Sequence, residues 1–76
     1  MARDYRIYVK LIGAAPDDRV IVPLGRTCML DAIRQWQYYC RIERESAQRE
    51  YSWIELRMAS EWEGVDWQVL LREDFA

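Results

Sequence analysis

The chain of 76 residues contains no histidine and no asparagine, one lysine against ten arginines, and only three glycines and two cysteines. Without histidine, the commonest general base and metal ligand is missing, and neither a Ser-His-Asp nor a Cys-His arrangement can be built. Gly13, Gly25 and Gly64 stand alone, so there is no glycine-rich phosphate loop. A zinc site would have to draw four ligands from Cys28, Cys40 and carboxylates. If both cysteines lie on one helix, a rise of ~1.5 Å per residue separates them by roughly 18 Å, too far for a disulfide or a shared metal. Two unpaired thiols fit a reducing compartment. No apolar run approaches the ~20 residues of a membrane span, and the opening MARDYR lacks the apolar stretch of a secretory signal. A carboxylate pair of the glycosidase kind would need a substrate cleft, for which a domain this small has little room. The expectation is a single cytoplasmic domain, residues 1–76, with no catalytic function, cofactor, metal or membrane association.

What is present is strong apolar periodicity. In DYRIYVKLI (4–12), Ile7, Val9 and Leu11 alternate with Arg6, Tyr8 and Lys10, the pattern of a half-buried strand. A turn cluster, GAAPDD, leads to RVIVPL (19–24), whose Pro23 suits an edge strand because it cannot donate to a ladder. After Gly25, Thr27 offers an N-cap and the period changes. Met29, Ile33, Trp36 and Cys40, with Ala32 beside them, form one helical stripe, and nothing breaks the helix before about Gln48. YSWIELRMAS (51–60) returns to alternation, with Ile54, Leu56 and Met58 opposed to Trp53, Glu55 and Arg57. VDWQVLLRE (65–73) follows with Val65, Trp67, Val69 and Leu71 on one face. A four-residue EWEG loop pairs Met58 with Trp67, Leu56 with Val69 and Ile54 with Leu71, and brings Trp53 near Arg72 as a cation–π pair. A two-residue loop would keep the same faces and shift the partners.

The order strand–strand–helix–strand–strand predicts an α+β fold, a four-stranded sheet with one helix packed on one face. In topology it resembles the β-grasp of the immunoglobulin-binding domains of protein G. That resemblance implies parallel first and last strands at the centre, in spatial order 2-1-4-3.

Charge is unevenly distributed. Residues 1–42 carry seven basic and four acidic side chains, net +3, and residues 43–76 carry four basic and nine acidic, net −5. Trp36 and Trp67 fall on apolar stripes and are expected in the core. Trp62 falls on no buried stripe: in SEWEGVDW (60–67) it stands between Glu61 and Glu63, with Asp66 close by. It either folds back over the sheet or forms an acidic knob around an aromatic anchor. Trp53 shares the polar sheet face with Tyr8, Ile21, Leu70 and four basic residues; Trp, Tyr and Arg are the usual interface anchors. The expected partner-binding set is Glu61, Trp62, Glu63, Asp66, Trp53, Glu73 and Asp74, with Glu43, Glu45 and Glu50 extending the acidic surface. Its partner would be a protein with a basic surface. The acids Glu55, Asp66 and Glu73 argue against direct nucleic-acid binding.

In size, acidic second half and displayed aromatic, the chain resembles the small phage-encoded inhibitors of bacterial defence, the anti-CRISPR type. That resemblance implies a binding inhibitor that blocks a nucleic-acid-binding complex in the host cytoplasm. The alternative is a homo-oligomeric or accessory structural protein, a homodimer for instance, joined through the outer sheet face or through an overhanging helix with Tyr38 and Ile42.

Overall fold

The structure is a computed structural model, and it describes residues 2–59 and 67–75. Its elements are β1 (Arg3–Leu11), β2 (Val20–Thr27), α1 (Met29–Glu45), β3 (Tyr51–Met58) and β4 (Gln68–Asp74). They build the expected α+β arrangement, one helix against an open four-stranded sheet. The strand order is β2-β1-β3-β4 and every pairing is antiparallel, so the β-grasp order 2-1-4-3 is corrected.

The reason lies at the end of the helix. Glu43 is 3% exposed, and its Oε2 accepts the backbone N–H groups of Glu50 (2.9 Å) and Tyr51 (3.1 Å). Ile12 N–H donates to the Glu50 carbonyl at 2.9 Å, joining the end of β1 to the same point. The chain leaving α1 is thus tied to β1 as soon as it turns, and β3 takes the vacant edge of β1. The β-grasp order would carry it one strand further, about 4.8 Å. Glu43, expected on an acidic surface, is instead a buried bracket.

The helix begins later and stops earlier than its apolar period suggests. Thr27 is the last residue of β2; the N-cap is Cys28, whose side chain makes no capping bond. At the far end Ser46 ends the helix, its N–H bonded to the Glu43 carbonyl. The Ser46 hydroxyl accepts from Gln48 N–H (3.3 Å) and donates to Gln48 O (2.7 Å), a local alternative to another helical turn.

One face of the sheet forms the core: Tyr5, Ile7, Val9, Ile54 and Leu56 close against Ala32 and Cys40 of the helix. Ile33, Trp36, Tyr39, Val22, Leu24 and Leu71 complete its rim. Trp36 also donates its indole N–H to the Ile54 carbonyl at 3.1 Å, so its place at the core edge carries a polar tie. Met29, expected on the buried stripe, is 45% exposed in the first turn. Burial pushes the Cys40 thiol up from 9.0 to about 12, with the Glu73 charge adding to the rise. No helix among the described residues is long and apolar enough to cross a membrane.

Candidate functional site: the open face of the sheet

No element covers the other face of the sheet among the described residues. Alternation places Arg6, Tyr8 and Lys10 of β1 there, opposite Arg57, Glu55 and Trp53 of β3. Glu55 and Trp53 in turn face Arg72 and Asp74 of β4. Despite facing outward, Glu55 is 4% exposed and Tyr8 5%. Arginines bury them. Glu55 Oε1 accepts from Arg57 Nε (2.9 Å) and from Arg57 Nη2, while Oε2 accepts from Arg72 Nη1 at 3.0 Å. Arg72 also grips Asp74 Oδ1 through Nε (3.1 Å) and Nη2 (2.9 Å). Hydrogen bonding to Asp74, helped by the charges of Asp74 and Glu55, raises the pKa of the Arg72 guanidinium.

Each arginine held in this way also lies over a ring. Arg57 is 4.0 Å from the Tyr8 ring centroid and Arg72 is 4.7 Å from that of Trp53. The expected Trp53–Arg72 stack is therefore present, reached diagonally, because Arg72 stands directly opposite Glu55. A carboxylate below and a ring beside each guanidinium fix a side chain that would otherwise sample many rotamers.

A β-bulge decides the third ring. Leu56 pairs with Leu71 and Arg57 with Val69, leaving Leu70 as an extra residue in β4. Leu70 and Leu71 both lean on the core, and the alternation before them is inverted. Val69, expected inward, is 45% exposed opposite Arg57. Leu70, expected outward, packs against the core instead. Trp67, expected in the core, is half-buried under Arg6, whose guanidinium carbon lies 4.0 Å from the ring centroid. The expected pairs give way to Met58–Gln68, Leu56–Leu71 and Ile54–Glu73. A two-period pattern with two adjacent leucines is satisfied either with or without a bulge, so the pattern alone does not place Trp67.

Of the expected partner-binding residues, the structure brings Trp53 and Asp74 together on the open face. Glu73 points the other way, opposite Ile54, and bonds Arg44 of the helix at 2.8 Å. Glu61, Trp62, Glu63 and Asp66 lie outside the described residues. Glu45 and Glu50 are exposed near the helix end. Sequence reasoning misses Glu55 as the centre of the face and reads it only as a repelling charge. The available signal is its position between Trp53 and Arg57 on one side of the strand.

Among the described residues no cluster of three or more acids and cysteines is placed to hold a metal ion. The face offers planar guanidinium groups, half-covered indoles and carboxylates already neutralised by arginine, which suits recognition of a surface. No family model, curated protein or solved structure matches this chain.

Proposed function

We propose that the chain is a non-catalytic protein that works by binding another protein, as an inhibitor does, and that the open face of the sheet is its main contact surface. The observation that carries this reading is Glu55: a carboxylate on an uncovered face, 4% exposed, holding two arginines that each cover a ring. Association with a partner orders side chains at a cost of about 0.5–1.5 kcal/mol each, and side chains already held avoid most of that cost. Arg, Trp and Tyr are also the residue types that dominate binding energy at protein interfaces. The acidic stretch with Glu61, Trp62, Glu63 and Asp66 is a second candidate contact, directed at basic groups of the same partner. On the anti-CRISPR resemblance, that partner is a nucleic-acid-binding defence complex in the host cytoplasm.

The test is affinity capture from nuclease-treated bacterial lysate with three baits: the parent chain, Trp53→Ala and a Trp62→Ala/Glu63→Arg double variant. A protein held by the parent and lost from Trp53→Ala, with circular dichroism unchanged, supports the open face. Retention by Trp53→Ala together with loss from the double variant moves the contact to residues 60–66 and overturns the assignment to the sheet.

Self-association is the second reading, favoured by the exposure of Tyr38 (54%) and Ile42 (49%) on the helix. It predicts a sedimentation mass that rises with concentration and falls back to the monomer in Ile42→Glu.

A further inference from the structure

Three features stand outside the Glu55 network. Leu11, Ile12, Val20 and Ile21 expose apolar surface around the β1–β2 turn, but nothing in the structure says what covers them. Arg34, Gln37, Tyr38, Arg41 and Arg44 line a shallow groove on the helix, yet Arg44 is bonded to Glu73 and Arg34 approaches Asp31 at 3.9 Å. The third is a slot of about 190 Å³ lined by Asp4, Tyr5, Arg6, Pro23, Gly25 and Trp67, and it carries an inference.

Three local irregularities make the slot. The bulge at Leu70 sends Trp67 to the outer side, where its ring forms one wall. A second irregularity, between Tyr5 and Arg6, leaves Leu24 as an extra residue in β2 and sets Pro23 opposite Arg6. Gly25 follows with φ +74°, a conformation that disfavours side chains, and a Cβ there would meet nothing within 4 Å. The lining therefore combines two flat side chains, the Trp67 indole and the Pro23 ring, with the open backbone at Gly25 and the polar groups of Asp4 and Arg6. Asp4 at the margin faces Arg26 across the ladder, an opposite-charge pair.

Arg6 differs from its neighbours. Arg57 and Arg72 are bound to carboxylates, and Lys10 donates to the Ala14 carbonyl at 2.9 Å. Among the described residues Arg6 has no carboxylate partner. Within the described residues its one hydrogen bond goes to the Tyr8 hydroxyl, at a long 3.4 Å, and its guanidinium carbon lies 4.0 Å from the Trp67 ring centroid. The guanidinium is positioned over the indole while no described residue takes most of its N–H groups, the condition for bidentate capture of an anion. A nucleic-acid backbone needs a track of free cations, and on this face Arg57 and Arg72 are already bound to carboxylates. A single carboxylate needs one.

Resting on the protein-binding reading above, we propose that this slot anchors an acidic–aromatic segment of the partner protein. Arg6 takes a carboxylate of that segment, and the adjoining flat side chain enters the slot lined by Trp67, Pro23 and Gly25. Partner choice at this end of the sheet is thereby set by a glutamate or aspartate next to an aromatic residue.

Nuclear magnetic resonance titration of the ¹⁵N-labelled full chain tests this with four probes. They are blocked tripeptides of glutamate–tryptophan–glutamate, glutamate–alanine–glutamate and lysine–tryptophan–lysine, and a short oligothymidylate. The first is expected to shift the amides of Arg6 and Gly25 and the Trp67 indole N–H, and to bind at least about fivefold more tightly than the alanine version through burial of the ring. The lysine version is expected to leave them still. Arg6→Gln should weaken the first peptide about tenfold through loss of the charge-assisted pair, while Arg34→Gln on the helix leaves it unchanged. Shifts confined to Trp53 and Arg57 would overturn the slot and leave the open face standing as a protein contact. Shifts at the slot with oligothymidylate and none with any peptide would overturn both readings.

Discussion

On the helix side of the sheet, Ile7, Ile54 and Leu56 reach zero exposure beneath Ala32 and Cys40; on the open side, Tyr8 and Glu55 reach 5% and 4% with no element above them among the described residues. The helix side excludes water with a second layer of chain, and burial there is gained from apolar area. The open side excludes water with the stems and planes of its own arginines, and each buried polar atom needs a named partner. No buried side-chain nitrogen or oxygen among the described residues lacks one. The two faces should therefore differ in how they fail: the first by losing packing, the second by losing a charge partner.

Leu56→Ala should have the largest effect, about 2–5 kcal/mol of lost stability in urea melts, because it opens a cavity under the helix. Glu55→Gln, nearly the same in shape, should cost about 1.5–3 kcal/mol by leaving Arg57 without its anion and Arg72 with Asp74 alone. A loss below about 0.5 kcal/mol would mean that the arginines find other partners, and the contrast between the faces would break. Glu43→Gln tests whether the helix side also depends on a buried acid. A loss of about 1–2 kcal/mol is expected, with faster amide exchange at Glu50 and Tyr51, since a neutral acceptor serves those two N–H groups less well.

The other contrast is a dependence on alkaline pH. The Cys40 thiol stays protonated in the fold up to about pH 12, whereas the unfolded chain ionises near its ordinary 9.0. A raised folded pKa contributes stability that is complete below pH 9 and is lost as pH rises toward 12. Melts from about pH 8 to about pH 10.5 should show a steeper decline in the parent than in Cys40→Ala. A thiol reagent at neutral pH should label Cys28 at once and Cys40 only on unfolding, because the first is exposed and the second buried.

Much of this contrast is visible in the residue pattern. Ile7 and Val9 against Arg6 and Tyr8, and Ile54 and Leu56 against Trp53 and Glu55, separate the two faces by alternation alone. The Trp53–Arg72 stack follows from the same alternation. The position of Trp67 does not, because Leu70 and Leu71 can both turn inward only if the strand bulges, and alternation alone does not decide that. Glu73 parts from Asp74 although the two are sequence neighbours and suggest one acidic patch, since the pleat sends adjacent residues to opposite sides. Glu43 reads as surface because nothing local to the helix shows that two N–H groups of the following segment converge on it.

Residue pattern and composition are enough to say which segments are strands and which is helix, which strand residues share a face along most of the sheet, and that imidazole chemistry is lacking. These depend on the backbone repeat of two or 3.6 residues and on side-chain identity, and neither needs a partner to be defined. That β3 lies beside β1, that Trp67 joins the open face and that Glu55 is buried on it emerge only when the elements pack. Each of those outcomes depends on contacts between residues far apart in the chain, where small differences in fit and in hydrogen-bond supply select among arrangements that the local pattern leaves equivalent.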